Sequence, residues 1–182
     1  MPSLQDSTAR VIWFTGLSGA GKSTIASAVF DELTRRGVKV EYLDGDIIRG
    51  LFPEIGFTRP ERDAHVKRVG FLASRLEHHG VTPICALISP YREARDAVRR
   101  LCRNFVEVYV STPLAECERR DPKGLYARAR RHELSHFTGI DDPYEPPEHP
   151  ELTIDTTSLT VAEEVARVLA FISEPAPSGR IG

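Results

Sequence analysis

Five short apolar segments are spaced along the chain, separated by longer segments in which polar and apolar residues alternate. The first, residues 11–15, is Val-Ile-Trp-Phe-Thr and leads directly into a glycine cluster, which is typical of a buried strand. Residues 81–88 are nearly all apolar, as expected for the centre of a sheet covered on both faces. On these grounds we predict strands at residues 11–15, 38–43, 81–88, 105–110 and 152–156.

The segments between the predicted strands mostly have the periodicity of helices. Within residues 22–36, Ile25, Val29 and Leu33 recur at four-residue spacing, and Gly37 provides a stop signal. Similar patterns predict helices at residues 60–79, 91–103 and 160–172, and a further helix that begins at Pro113. Residues 121–150 are rich in Arg, His and Pro and lack a clean period, so we expect a mobile lid followed by an irregular loop.

This alternation of strands and helices predicts an α/β fold with one five-stranded parallel sheet and helices on both of its faces. In such a sheet, ligands bind beside the carboxyl ends of the strands. A chain of 182 residues can bury one sizeable core. We therefore expect a single domain over residues 1–174, and a disordered tail at residues 175–182.

Composition and charge limit the class of partner. The formal net charge is −2, so the chain lacks the positive field that would attract nucleic acid or an anionic membrane. It has no apolar run long enough to span a membrane, and its first ten residues are polar, so we expect a cytoplasmic protein. Its three cysteines have no CxxC spacing and predict reduced thiols. An anionic substrate would have to be bound by local basic clusters.

Residues 16–23 match the phosphate-binding pattern G-x-x-x-x-G-K-[ST] in full. Its glycines let backbone N–H groups surround phosphate oxygens, and the following helix adds its positive dipole end. Lys22 can reach the β- and γ-phosphates of ATP, and the hydroxyl of Ser23 can bind Mg²⁺. A chance glycine-rich turn is the alternative, but the match lies between a predicted strand and a predicted helix, as this motif requires. The predicted nucleotide site is Gly16, Leu17, Ser18, Gly19, Ala20, Gly21, Lys22, Ser23 and Thr24.

Two carboxylates, Asp44 and Asp46, follow the second predicted strand and should emerge at the same sheet edge as the P-loop. A carboxylate at this place can deprotonate an acceptor hydroxyl or hold Mg²⁺ through water. A tight turn or a helix cap is the alternative explanation for Asp-Gly-Asp. Beside a P-loop we favour Asp44 as the base and Asp46 as a cap or a ligand of metal-bound water.

Basic residues form two clusters, and two phenylalanines lie in otherwise polar segments. The first cluster, between the second strand and the next helix, is a candidate clamp for a second anionic substrate, although a solvated helix face is the alternative. The second lies in the predicted lid, where it could neutralise the transferring phosphoryl group. Phe57 and Phe137 could stack on a purine or simply fill the core. The clusters are Arg49, Arg59, Arg62, Lys67 and Arg68, and Arg119, Arg120, Lys123, Arg128, Arg130, Arg131 and His132.

Several segments together resemble adenylylsulfate kinases, which use MgATP to phosphorylate the 3′-hydroxyl of adenosine 5′-phosphosulfate. They include Leu-Asp-Gly-Asp (43–46), Gly-Phe-Thr (56–58), Ile-Ser-Pro-Tyr-Arg (88–92), Arg-Asp-Pro-Lys-Gly-Leu-Tyr (120–126) and Phe-Thr-Gly-Ile-Asp-Asp-Pro-Tyr-Glu-Pro-Pro (137–147). The last two are far more specific than the P-loop, which identifies only a superfamily. The resemblance covers about residues 12–156. It implies a P-loop kinase fold, ATP and adenylylsulfate as substrates, Mg²⁺ as cofactor and a homodimer. It also suggests an ATP sulfurylase as a partner with which the chain could associate.

The resemblance also implies roles for individual residues. Asp44 would be the base toward the 3′-hydroxyl, while Phe57 and Phe137 would enclose the adenine of the acceptor. Family descriptions often give the serine of Ile-Ser-Pro as a phosphoserine intermediate, which makes Ser89 a catalytic candidate. Direct in-line transfer is the alternative, because no His or Lys lies beside Ser89 in sequence to activate it.

The remaining implied contacts hold the acceptor and the nucleotide. Where the family often has asparagine, this chain has His65, which can donate one hydrogen bond but adds a titratable group. Arg119 of the lid is assigned to the nucleotide. The acceptor set is Asp44, Asp46, Arg49, Phe57, Arg62, His65, Ile88, Ser89, Lys123, Gly124, Leu125 and Phe137.

Other functions remain open at this point. Another small-molecule or nucleotide kinase of the same fold would account for the P-loop, Asp44 and the lid. A GTPase is disfavoured, because residues 121–124 fit D-x-x-G but the chain has no N-K-x-D segment. A non-catalytic nucleotide-binding module would be expected to have lost Lys22, Ser23 or Asp44, and all three are present.

Overall fold

The computed structural model describes residues 9–52 and 54–173, which contain one five-stranded, fully parallel sheet. The order of the strands is β2-β3-β1-β4-β5. The predicted α/β fold is therefore confirmed, whereas the predicted tail at residues 175–182 lies outside the described residues. The strands are β1 (Val11–Thr15), β2 (Val40–Asp44), β3 (Thr82–Ala86), β4 (Phe105–Val110) and β5 (Leu152–Ile154).

Helices connect the strands and cover both faces of the sheet. Two short helices, Gly45–Gly50 and Leu125–Arg130, were not predicted, and the second lies in the segment predicted to be a mobile lid followed by an irregular loop. None of the helices in the described part of the chain is long and apolar enough to cross a membrane. The helices are α1 (Lys22–Arg35), α2 (Gly45–Gly50), α3 (Arg59–His78), α4 (Arg92–Leu101), α5 (Leu114–Arg120), α6 (Leu125–Arg130) and α7 (Val161–Ser173).

Strand β1 divides the core into two layers, because its side chains alternate between the faces of the sheet. Ile12 and Phe14 are fully buried in the layer that includes α1 and α7. Val11 and Trp13 are fully buried in the opposite layer, against α3 and α4. Burial on both faces explains why this segment reads as an uninterrupted apolar run.

A glycine lets the two helices of the second layer approach closely. A Cβ at Gly70 in α3 would lie 2.3 Å from Cγ2 of Val98 in α4. Such a distance is well inside van der Waals contact, so any larger residue would force the helices apart. The close fit of α3 matters for function because this helix carries Arg62 and His65 to the carboxyl end of the sheet.

Candidate active site

A cavity of about 380 Å³ lies at the carboxyl ends of β1, β2 and β3. The parallel sheet brings together segments that are far apart in sequence, since each of these strands ends at the same edge. Predicted site residues that line it are Ser18, Gly19, Gly21, Lys22, Ser23, Thr24, Asp44, Asp46, Arg49, Phe57, Arg62, His65, Ile88, Ser89 and Lys123. Predicted site residues that do not line it are Gly16, Leu17, Ala20, Arg119, Gly124, Leu125 and Phe137.

The P-loop joins β1 to α1 and follows a path that requires glycine. Gly16 has a φ of 148°, and a Cβ there would lie 2.5 Å from the carbonyl oxygen of Val110. Gly21 has a φ of 106° and is the N-cap residue of α1. The loop therefore ends with free backbone N–H groups of a helix N-terminus facing the cavity, which is a ready site for phosphate.

Lys22 is 8% exposed, and its Nζ donates a hydrogen bond of 2.7 Å to the carbonyl oxygen of Leu17 in the same loop. Burial lowers the pKa of Lys22 to about 8, because the surrounding protein keeps water away from the ammonium group. A phosphate oxygen would replace the Leu17 carbonyl as a stronger, charged acceptor. The neighbouring side chain of Ser23 is exposed on the cavity wall.

Asp44 is the N-cap residue of α2, so the cap that the sequence offers as one alternative for Asp46 lies two residues earlier. Oδ1 of Asp44 accepts from the backbone N–H groups of Asp46 at 2.8 Å and Ile47 at 3.1 Å. The cap falls on Asp44 because α2 begins at Gly45, immediately after β2, which is two residues before the helix start that a cap at Asp46 would give. These hydrogen bonds fix the carboxylate at the cavity wall.

Asp46 instead pairs with the lid. Its Oδ2 accepts a hydrogen bond of 2.6 Å from Nζ of Lys123, and this ion pair raises the pKa of Lys123. The contact links the helix after β2 to the segment after α5 across the mouth of the cavity. Both partners are more than half exposed, so the contact can open readily when a ligand competes for either group.

The residues present suit Mg²⁺, although they do not form a complete cage for it. Among the described residues, no cluster of three or more His, Cys, Asp or Glu side chains could hold a metal ion. The cavity does combine a hydroxyl, on Ser23, with the carboxylates of Asp44 and Asp46. Mg²⁺ commonly takes one or two such oxygens and completes its shell with water and substrate phosphates.

Two arginines form a cationic wall opposite the P-loop. Nη1 of Arg49 donates to the carbonyl oxygen of Gly56 at 2.7 Å, and Nε of Arg62 donates to that of Phe57 at 2.8 Å. Both guanidinium groups lie over the ring of Phe57, at 4.7 Å and 5.3 Å from its centroid. Burial lowers the pKa of both arginines, and within the described residues neither has a carboxylate at ion-pair distance. An anionic ligand would supply the missing countercharge.

His65 is 3% exposed beside this wall. Its Nε2 lies 3.0 Å from the carbonyl oxygen of Gly45, which requires Nε2 to carry a proton. Burial, together with the positive charge of Arg49, lowers the pKa of His65 to about 4. The ring is therefore neutral near pH 7, and Nδ1 has no hydrogen-bond partner among the described residues.

Ser89 is buried, at 2% exposure, and its hydroxyl both donates and accepts a hydrogen bond. It donates to Oγ1 of Thr15 at 2.9 Å and accepts from Nε1 of Trp13 at 3.1 Å. Thr15 in turn donates to the carbonyl oxygen of Ile88 at 2.8 Å and lies 2.9 Å from the hydroxyl of Tyr144. Within residues 9–52 and 54–173, the side-chain partners of the Ser89 hydroxyl are Thr15 and Trp13, neither of which is a general base, so its geometry suits a structural role in the cavity wall better than nucleophilic attack.

The two predicted stacking rings have different environments. Phe57 is 52% exposed and lines the cavity, as expected for a ring that meets a ligand. Phe137 is 9% exposed and packs edge-on against Tyr126, with ring centroids 5.0 Å apart. The structure thus places Phe137 in the core, the alternative considered from the sequence.

At the end of α5, the cavity-facing arginine is Arg120 and not Arg119. Arg119 bonds to Glu116 and is 72% exposed, whereas Nη1 of Arg120 donates to Oγ1 of Thr156 at 2.7 Å. Arg120 lines the cavity. The sequence analysis includes Arg120 in the second basic cluster but assigns only Arg119 to the nucleotide, because adjacent arginines on a helix give no signal of which one faces inward. It does not name Thr156 as a site residue.

Comparison with known proteins identifies the family of the chain. The sequence model described as "Adenylylsulphate kinase" matches residues 8–155. The chain is 50% identical over 159 residues to an adenylyl-sulfate kinase of Synechococcus sp. (strain JA-3-3Ab), which covers 87% of this chain and 90% of that protein.

Two solved structures extend the comparison. The Mycobacterium tuberculosis APS kinase CysC in complex with AMPPNP and APS has a TM-score of 0.88 and 39% identity, covering 92% of this chain and 99% of that one. A hexameric APS kinase from Thiobacillus denitrificans has a TM-score of 0.70 and 38% identity, covering 93% of this chain and 29% of that one. The chain therefore belongs to the adenylylsulfate kinase family.

Proposed function

We propose that this protein transfers the γ-phosphoryl group of MgATP to the 3′-hydroxyl of adenosine 5′-phosphosulfate, giving 3′-phosphoadenosine 5′-phosphosulfate and ADP. The observation that carries the proposal is one cavity lined by a P-loop on one side and, on the other, by two arginines that have no carboxylate at ion-pair distance among the described residues. Such a cavity suits two anionic substrates that meet at its centre, and the family membership of the chain supports this pair of substrates.

The donor side holds the triphosphate. The N-terminus of α1 and the P-loop N–H groups bind the phosphates, and Lys22 leaves the Leu17 carbonyl to bind the γ-phosphoryl group. Mg²⁺, held by Ser23 and by phosphate oxygens, would neutralise charge that develops on the β- and γ-phosphates. Arg120 and Lys123 add positive charge from the lid.

Asp44 orients the acceptor alcohol and accepts its proton. The 3′-oxygen attacks the γ-phosphorus as the bond from that phosphorus to the β,γ-bridging oxygen breaks, and ADP leaves with this bond's electrons. Oδ1 of Asp44 is engaged by the N-terminus of α2, so Oδ2 is the atom available to the acceptor. On the other side, Arg49, Arg62 and Phe57 bind the anionic end and the ring of the acceptor.

A coupled assay of ADP release tests the proposal. Turnover is expected with adenylylsulfate and ATP when Mg²⁺ is supplied, and not when Mg²⁺ is chelated. The control acceptors are nucleoside monophosphates, gluconate and shikimate, which represent other kinases of this fold. Faster turnover with any of these than with adenylylsulfate would reject the acceptor, and nucleotide binding without turnover on any acceptor would indicate a non-catalytic module.

We further propose that the chain has one catalytic domain, residues 1–174, and that it acts as a homodimer. An associated ATP sulfurylase would supply its acceptor substrate. The hexameric relative from Thiobacillus denitrificans supports assembly of such domains without setting the number of subunits here. Sedimentation equilibrium of the full chain gives the subunit number, and a mass of one subunit would reject the dimer.

A further inference from the structure

Arg95 lies in α4 with its side chain 2% exposed, behind the cavity and not among the residues that line it. Its guanidinium group donates three hydrogen bonds to three separate segments. Nε bonds to Oε1 of Glu107 in β4 at 2.8 Å, Nη1 to the carbonyl oxygen of Ser89 at 2.6 Å, and Nη2 to that of Glu145 at 2.7 Å. One side chain thus joins the sheet, the turn after β3 and the segment before β5.

The turn after β3 needs such a restraint. Ser89 has a φ of 40°, in the left-handed region that residues with a Cβ avoid. Together with Leu87 and Ile88, it forms the cavity wall beside Arg62 and His65. A strained turn persists only where its surroundings hold it, and the bond from Arg95 fixes the carbonyl group of the strained residue itself.

The segment before β5 is held by the same side chain. The guanidinium of Arg95 lies 5.7 Å from the ring centroid of Tyr144, and Nη2 binds the carbonyl oxygen of the next residue, Glu145. The hydroxyl of Tyr144 returns to Thr15, which also bonds to Ile88 and Ser89. Displacement of Arg95 would therefore loosen the turn from two directions.

We infer that Arg95 is a positioning residue for the acceptor side of the cavity: it holds the strained turn at Ser89 in the shape that binds the acceptor, without contacting either substrate. The inference rests on the proposed function, since it concerns the acceptor half of that site. The planar, forked guanidinium is needed because three acceptors in different directions are satisfied at once. A lysine could preserve the charge opposite Glu107 but could not serve both carbonyl groups in the same geometry.

The chain offers a matched control in Arg99, on the next turn of α4. Arg99 bonds to the other oxygen of Glu107 at 3.1 Å and to Glu151, but it makes no hydrogen bond to the turn at Ser89. The test compares Arg95→Lys with Arg99→Lys in the full chain, measuring the melting temperature, kcat, and the KM values for ATP and adenylylsulfate. We expect Arg95→Lys to raise the KM for adenylylsulfate about tenfold to a hundredfold, with the KM for ATP within about twofold of the wild type. Arg99→Lys should change neither KM.

An unchanged acceptor KM in Arg95→Lys, or an equal rise in Arg99→Lys at the same loss of melting temperature, would overturn the inference. If Arg95→Lys fails to fold, the double variant Arg95→Met with Glu107→Gln replaces it, because it leaves no unpaired charge in the core. The same rise in acceptor KM is expected there. Wild-type turnover, measured first, separates the two hypotheses: an inactive wild type rejects the proposed function and this inference with it, whereas an active wild type leaves the KM comparison to decide on Arg95 alone.

Discussion

Asp44 caps α2 in this structure and is also the proposed base, and a pair of substitutions can separate these two roles. Its Oδ1 caps α2 through the N–H groups of Asp46 and Ile47, while the rest of the carboxylate faces the cavity. Asparagine retains a capping oxygen but cannot accept a proton, and alanine loses both properties. The comparison of Asp44→Asn with Asp44→Ala therefore tests the base without confusing it with the cap.

The expected magnitudes differ for stability and for turnover. Loss of the cap in Asp44→Ala should reduce the free energy of unfolding by about 1 kcal/mol, which lowers the melting temperature by about 2–4 °C for a chain of this size. Asp44→Asn should melt within about 1 °C of the wild type. Both variants should lose about 10²–10⁴-fold in turnover, because both lack a base at the acceptor hydroxyl.

The assays are thermal unfolding and coupled ADP release at saturating substrates, with Mg²⁺ varied. Since natural domains are stable by about 5–15 kcal/mol, a loss of about 1 kcal/mol leaves nearly every molecule folded, and stability cannot explain a hundredfold loss of turnover. Near wild-type turnover in Asp44→Asn would refute the base. Recovery of turnover at raised Mg²⁺ would show instead that Asp44 serves to hold the metal.

Five further substitutions test other parts of the site. Lys22→Met should reduce turnover about a thousandfold and yet raise the melting temperature at pH 7, because it removes a buried ammonium. The pKa of Lys22 is about 8 when folded against an ordinary 10.5, so wild-type stability should rise between these pH values, relative to the variant, in urea titrations. The pKa of His65 is depressed to about 4, so the wild type should lose stability as pH falls from 6.5 toward 4. His65→Asn should avoid on the order of 1 kcal/mol of this loss. Equal acid sensitivity of both proteins would contradict this expectation. Phe57→Ala should raise the acceptor KM about tenfold with little change in melting temperature, whereas Phe137→Ala should cost about 3 kcal/mol in urea unfolding, and the reverse pattern would place Phe137 at the substrate. Ser89→Ala should retain turnover within about tenfold, and labelled ATP should transfer no phosphate to the wild-type chain; a labelled Ser89 would establish a covalent intermediate.

Local signals in the sequence were enough to predict the sheet and the P-loop that lines one side of the cavity. Strand β1 is buried on both faces and ends in a complete P-loop motif, so one segment specifies a strand, a turn and a helix start. The acceptor side was harder to predict because it depends on contacts between distant segments. Whether Phe137 faces the cavity or Tyr126 is decided by tertiary packing, which neither periodicity nor motif spacing reports.

Single-residue errors arose where two neighbours have the same chemistry. Asp44 and Asp46 are both plausible caps, and only the position at which β2 ends selects Asp44. Arg119 and Arg120 can both pair with Glu116 along one helix, yet only Arg120 also reaches Thr156. In each case the deciding factor is the direction of a side chain, set by where an element begins or ends.

The cavity lining carries more positive than negative side chains, and this excess of positive charge accounts for much of what the site can do. Burial lowers the pKa of Lys22, Arg49 and Arg62, so folding places these cations where water stabilises them poorly. The free-energy cost of burying these cations is tolerable because each cation donates a hydrogen bond to a backbone carbonyl group. This neutral acceptor is weaker than an anion. Phosphate and phosphosulfate oxygens are the stronger acceptors, so binding them relieves a penalty already incurred in folding. This relief is largest for the most negative ligand. The transition state of phosphoryl transfer spreads negative charge between the two walls, so the cavity stabilises it more than it stabilises either substrate alone.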